Sequence, residues 1–139
     1  MSTDISMQTV SYQVSDRRWH LSREGINYTP NVTLDIAKFT AGTHYPNGYI
    51  PNGTVLGKVT ATGLYGPYDN AASDGRETAT GILFADVRAI RENGTTASKV
   101  GSGQLVRGDV SVAKLPLQSG AGSIDTNGKA DLPLIRWEA

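Results

Sequence analysis

Four of the seven asparagines in this chain are followed by glycine, at Asn47-Gly48, Asn52-Gly53, Asn93-Gly94 and Asn127-Gly128. Asn-Gly is the pair best suited to the positive φ angles of tight turns, so these sites divide the 139 residues into short segments. The 16 glycines and 6 prolines are spread along the chain rather than gathered into one linker. Glycine inside a helix costs about 1 kcal/mol relative to alanine. A chain punctuated this way is expected to be all-β and turn-rich, with at most short helices.

The apolar pattern between the turns agrees. Val10, Tyr12 and Val14 alternate with Ser11 and Gln13, the period-2 signature of a half-buried strand, and Trp19 and Leu21 continue it beyond Asp16-Arg17-Arg18. After Pro30, Val32, Leu34 and Ile36 face one way while Thr33, Asp35 and Ala37 face the other. Further strands are expected at Tyr49-Ile50, 54–60, 81–90, 104–107, 110–115 and 134–137. The segment 68–73 has room for a turn or two of helix, and 86–92 is ambiguous. The run from Gly120 to Gly128 reads as a loop by composition.

The length fits one domain with one core. Residues 1–30 stand apart as an extended N-terminal arm, polar, with isolated apolar side chains and no hairpin partner of their own; residues 31–139 form the β-rich body. A lone extended segment cannot satisfy its own ladder, so the arm must pair with the body, a neighbouring subunit or another protein. Lys+Arg and Asp+Glu both total 13 and the isoelectric point is near 6.7, so the basic footprint selected by phosphate backbones is missing and no direct nucleic-acid contact is expected. No run approaches the ~18 apolar residues of a membrane span, and the polar start lacks the regions of a signal peptide, so a protein made in a cytosol and without a membrane partner is expected.

The chemistry-bearing residues do not assemble into a catalytic pattern. There is no cysteine, which excludes thiolate catalysis and Cys-ligated metals. His20 and His44 lie in separate segments without carboxylates at ligand spacing, and surface or packing roles are expected for both. Asp69, Asp74 and Glu77 form the densest acidic group, but Asp69-Asn70 and Asp74-Gly75 read as turn chemistry with Arg76 beside Glu77. Gly101-x-Gly103 and Gly120-x-Gly122 lack the third glycine and lysine of phosphate loops, and no G-x-S-x-G elbow occurs. No catalytic residue, cofactor or metal is expected. Tyr45, Tyr49, Tyr65 and Tyr68 cluster in a Gly/Pro-rich stretch, and either pack beside turns or form a flat aromatic surface.

The segment Tyr45-Pro46-Asn47-Gly48-Tyr49-Ile50-Pro51-Asn52-Gly53-Thr54-Val55-Leu56-Gly57-Lys58, followed by residues 68–83, Gly108-Asp109-Val110 and Ala113-Lys114-Leu115-Pro116, resembles the lambda-type head decoration proteins of tailed bacteriophages. The resemblance covers roughly residues 39–116. It implies a β-clip-like small domain and a homotrimer on local three-fold axes of the expanded capsid. It further implies an N-terminal arm that orders against the shell, and a location on the outer surface of the virion.

On that reading the chain is a cementing protein, not an enzyme, and its partner is the major capsid protein. The arm would add a strand to an exposed edge of that protein, with Val10, Tyr12, Val14 and Trp19 as the capsid-binding residues. The alternative is a carbohydrate-binding β module stacking sugars on the tyrosine cluster. A small trimeric hydrolase of the deoxyuridine-nucleotide type is a further rival, but its glycine-rich phosphate motif is not visible.

Overall fold

The computed structural model describes residues 17–21, 25–26, 29–91 and 94–138. The strands within them are β1 (Asn31–Asp35), β2 (Tyr49–Ile50), β3 (Val55–Lys58), β4 (Tyr65–Pro67), β5 (Ala79–Leu83), β6 (Val87–Arg88), β7 (Lys99–Leu105), β8 (Gly108–Ser111) and β9 (Ile135–Glu138). The helices are short, α1 (Ala41–His44) and α2 (Thr126–Asp131), with single 3-10 turns at Ile36–Lys38 and Val112–Lys114. Among the described residues strand far outweighs helix, so strand pairing organises the molecule and the mainly β expectation holds.

Five strands close into a small barrel in the order β1, β4, β3, β5, β7. Strand β1 carries the expected alternation: Val32 and Leu34 are buried, Asn31 and Thr33 exposed. It pairs antiparallel with β7 at five positions, from Asn31 opposite Gly103 to Asp35 opposite Lys99, and closes the barrel through one parallel pair, Leu34 opposite Tyr65. The Asp35 carboxylate accepts from the Ala37 N–H at 3.2 Å, turning the end of β1 into the first 3-10 turn and burying Ile36.

The wall formed by β3 and β5 is buried on both sides. Val55 and Ile82 enter one apolar cluster with Trp19, Tyr68, Leu105, Val110 and Ile135, while their neighbours Leu56 and Leu83 enter a second with Val32, Leu34, Ile36, Phe39 and Ile50. This explains why these two segments read as apolar runs rather than alternating strands. The segment 81–90 is two strands rather than one, because β6 leaves the barrel to pair with β2. The strand expected at 104–107 begins five residues earlier, at Lys99, and the one expected at 110–115 ends in a 3-10 turn after Ser111.

Three of the four Asn-Gly sites have glycines with positive φ: Gly48 at 84°, Gly53 at 94° and Gly94 at 84°. The fourth departs from expectation, for Asn127-Gly128 lies inside α2 rather than in a loop. The Asp125 side chain caps this helix by accepting from the Gly128 N–H at 2.8 Å. It also accepts from the Tyr68 hydroxyl at 2.7 Å, which ties α2 to the body. The segment 68–73 makes turns rather than helix, and 87–88 is strand.

Candidate functional site

Of the residues expected to contact a capsid, Val10, Tyr12 and Val14 lie outside the described residues. Trp19 lies within them and is enclosed by this chain's own core, at 1% exposure. Its indole Nε1 donates to Asn52 Oδ1 at 2.7 Å, and Asn52 in turn donates from its backbone N–H and its Nδ2 to Asp86 Oδ1, both at 2.8 Å. Each polar atom in this buried chain is thereby satisfied by the next, as burial requires. As placed, Trp19 pins the base of the arm to the body.

The backbone around Trp19 repeats the attachment. The Ser111 N–H donates to the Trp19 carbonyl at 2.7 Å, His20 bridges antiparallel to Val110, and the Leu21 N–H donates to the Asp109 carbonyl at 3.0 Å. Residues 19–21 and β9 therefore flank β8, with β9 running parallel to it from Gly108 opposite Ile135 to Ser111 opposite Glu138. The Arg17 guanidinium donates to the Phe84 carbonyl at 3.0 Å and lies 4.4 Å above the Phe84 ring. Among the described residues, Arg17 and Trp19 already contact the body, inside the span assigned to the arm from sequence.

The glycine of the Asn52-Gly53 pair has a physical function here. At φ 94° it occupies a backbone region that side chains rarely adopt, and a Cβ would lie 2.6 Å from Pro116 Cδ and 2.9 Å from Trp19 Nε1. The motif that carried the family resemblance is thus the seat of Trp19.

The other candidates resolve into packing and turns. His44 is 3% exposed; its Nδ1 accepts from the Thr40 N–H and its Nε2 donates to the Ala121 carbonyl, both at 2.8 Å. Asp69 accepts from the Ala71 N–H, and Glu77 from the Gly75 N–H. Burial pushes the Asp74 carboxyl upward, but bonds from the Arg76 N–H and guanidinium outweigh that and hold it below its ordinary range. The four tyrosines do not make one surface. Tyr45 and Tyr68 are buried, at 8% and 2% exposure, in different apolar clusters, and Tyr65 packs against the cluster of Tyr45.

An open groove of about 390 Å³ lies beside Tyr68, Asn70, Gln118, Ser123 and Asp125. Its polar groups bond to one another or to backbone: Tyr68 to Asp125, Asn127 to Asn70, and Gln118 to the Leu115 carbonyl. Among the described residues no group of three or more potential metal ligands comes together.

A profile of the bacteriophage lambda head decoration protein D family matches residues 21–122. The chain belongs to that family. The matched span takes in the whole barrel, from β1 to β7, as well as β8 and the Asn52-Gly53 seat of Trp19, while α2 and β9 lie beyond it. Members of this family are structural rather than catalytic and associate with the phage capsid, which places the chain in the virion. Neither the curated proteins nor the solved structures gave a match.

Sequence reading expected Trp19 to continue a strand, whereas residues 18–19 form a turn and only His20 bridges to β8; three of the four Asn-Gly turns were placed, but what joins Trp19 to one of them was missed. The tryptophan at strand spacing after a charged triplet was assigned to the arm as a capsid-binding residue. The one available signal was the polar tip of its ring, which in a buried tryptophan demands an acceptor, and the nearest turn asparagine supplies it.

Proposed function

We propose that this chain cements a viral shell: as a homotrimer it occupies local three-fold sites on the outer surface of the expanded head, holds neighbouring copies of the major capsid protein together, and so resists the outward pressure of packaged DNA. The family match over residues 21–122 carries the reading. The small closed barrel supports it, since a body of paired strands with both sides of its wall buried is a rigid mount rather than a catalytic cleft. No chemistry of its own and no nucleic-acid contact are required.

The arm supplies the grip in this reading, with Val10, Tyr12 and Val14 as alternate side chains of a strand added to an edge of the capsid protein. Trp19 holds the base of that arm rather than touching the shell. Ordering a strand costs ~1–2 kcal/mol per residue in backbone freedom, so a single arm binds weakly. Three arms on one trimer make the second and third contacts intramolecular and raise avidity by ~10²–10⁴. In this reading the arm proper ends at Arg17, short of the boundary at residue 30 expected from sequence, because Arg17 and Trp19 contact the body.

The test is reconstitution. Purified protein added to expanded heads that lack it should appear by cryo-electron microscopy at the three-fold sites and raise the temperature or force at which the heads rupture. In solution it should sediment as about three chains, or as a concentration-dependent mixture with monomer. A stable dimer at every concentration contradicts the reading, because a two-fold assembly cannot match a three-fold site.

A further inference from the structure

The Asn-Gly pairs carry a reactivity that the decoration reading does not use. The glycine nitrogen can attack Cγ of the preceding asparagine: an N–C bond forms, the bond from Cγ to Nδ2 breaks, and the side-chain nitrogen leaves as ammonia. Water then opens the five-membered imide at either carbonyl, leaving aspartate or isoaspartate. A glycine successor offers the least steric resistance to this ring closure, since it has no Cβ. Closure also needs a carboxamide free to swing over the next nitrogen and a backbone that can follow it. The fold gives Asn47, Asn52 and Asn127 three different settings, while Asn93 lies outside the described residues.

Asn52 is 4% exposed, with Oδ1 held by Trp19 Nε1 at 2.7 Å and Nδ2 bonded to Asp86 Oδ1 at 2.8 Å. Its attacking nitrogen is occupied as well, since the Gly53 N–H donates to the Leu83 carbonyl at 2.8 Å. Asn127 is exposed, but it lies inside α2, its Nδ2 donates to Asn70 Oδ1 at 3.1 Å, and the Gly128 N–H is taken by the capping Asp125 carboxylate at 2.8 Å. Asn47 differs from both. It is exposed in the turn Pro46-Asn47, its side chain has no hydrogen-bond partner among the described residues, and the Gly48 N–H is held by one turn bond to the Tyr45 carbonyl at 3.0 Å. We infer that Asn47 is a site of spontaneous deamidation in the folded protein, while the fold shields the identical motifs at Asn52 and Asn127. Each conversion adds one negative charge to a chain whose net charge is zero. The isoaspartate form also inserts an atom into the backbone just before β2, where the Gly48 carbonyl accepts from the Ala89 N–H at 2.8 Å and the Ile90 N–H at 3.1 Å. The pairing of β2 with β6 is therefore the part of the fold that the modification disturbs.

The experiment ages the full-length protein in mildly alkaline buffer, once folded and once in denaturant, and follows each site by peptide mass spectrometry. Asn47 and Asn52 fall in one tryptic peptide, between Lys38 and Lys58, so fragment ions assign the position, and enzymatic methylation of isoaspartate identifies the product. A site that reacts only after local opening is slowed by its opening equilibrium, so in the folded protein Asn47 should convert at least ~10-fold faster than Asn52 and Asn127. In denaturant, where one dipeptide is set in three open chains, the three rates should agree within ~3-fold. Comparable rates at the three sites in the folded protein overturn the inference. So does an Asn47 that reacts in denaturant and stays intact when folded. A ~10-fold lead for Asn47 that is already present in denaturant also overturns it, because flanking sequence and not the fold would then select the site.

Discussion

The attachment of Trp19 predicts a sharp boundary between what can and cannot be removed from the N-terminus. Removing residues 1–16 keeps Trp19 and the Arg17 contact with Phe84, whereas removing residues 1–20 takes both out. A tryptophan side chain buries ~150–250 Å², worth about 4–6 kcal/mol at ~25 cal/mol per Å², in line with the ~3–5 kcal/mol cost of replacing a buried aromatic by alanine. With an unfolding entropy of ~2.1 cal/mol/K per residue, a loss of ~3–5 kcal/mol lowers the melting temperature of a chain this size by about 10–17 °C. Trp19→Phe should fall between, because the ring volume is largely kept but Asn52 Oδ1 loses its donor in a buried setting, at ~1–3 kcal/mol. Scanning calorimetry at one fixed protein concentration gives the comparison directly. If residues 1–20 can be deleted, or Trp19 replaced by alanine, with a melt within ~2 °C of the intact protein, the tryptophan is not a core residue and the junction at Arg17 is wrong.

Trp137 makes the opposite case: its Nε1 is buried without an acceptor among the described residues, so Trp137→Phe removes an unsatisfied donor and should change the melt by less than ~3 °C in either direction. Gly75→Ala should be strongly destabilising, by several degrees or with loss of soluble protein, since at φ 114° its Cβ would collide with the Lys58 carbonyl and Thr60 Oγ1; a melt equal to the parent would contradict the turn geometry. Burial, then the bond to Asp125 and the charges of Asp125, Asp131 and Asp69, hold the Tyr68 hydroxyl protonated far into the alkaline range. A pKa raised by folding stabilises fully below the unfolded value of about 10 and is lost as pH climbs above it, so the parent should lose stability more steeply above pH ~10 than Tyr68→Phe does; identical slopes in alkaline melts would remove Tyr68 from the account. Tyr12→Pro removes one ladder donor from every arm and should abolish decoration of expanded heads while leaving sedimentation unchanged; decoration that survives at the three-fold sites would move the essential contact from the arm to the body.

Much of the fold is legible in the sequence because it is local. The alternation at Val32, Leu34 and Ile36, the Asp35 side chain that ends β1, and the positive φ of Gly48 and Gly53 are set by neighbours within a few residues. Double-sided burial also leaves a trace, since Val55-Leu56 and Ile82-Leu83 can be apolar in succession only if both faces of the strand are covered. Reading Asn127-Gly128 as a loop failed for a definable reason. Glycine costs about 1 kcal/mol in a helix, but here Asp125 caps α2 while bonded to Tyr68, a residue 57 positions away, and a glycine is the residue whose lack of Cβ lets the helix lie against the Tyr68 ring.

The candidate site divides along the same line. Composition and motif order were enough to exclude a thiol or phosphate-loop chemistry and to point to the decoration family, because those properties are carried by residue types and spacing alone. What Trp19 does was decided by tertiary structure. A strand residue of alternating pattern faces something apolar in either case; only closure of the barrel, and the pairing of residues 19–21 with β8, determine that the apolar partner is this chain's own core. The pairing of His20 on one edge of β8 and of β9 on the other joins segments more than 110 positions apart, and no local pattern encodes it.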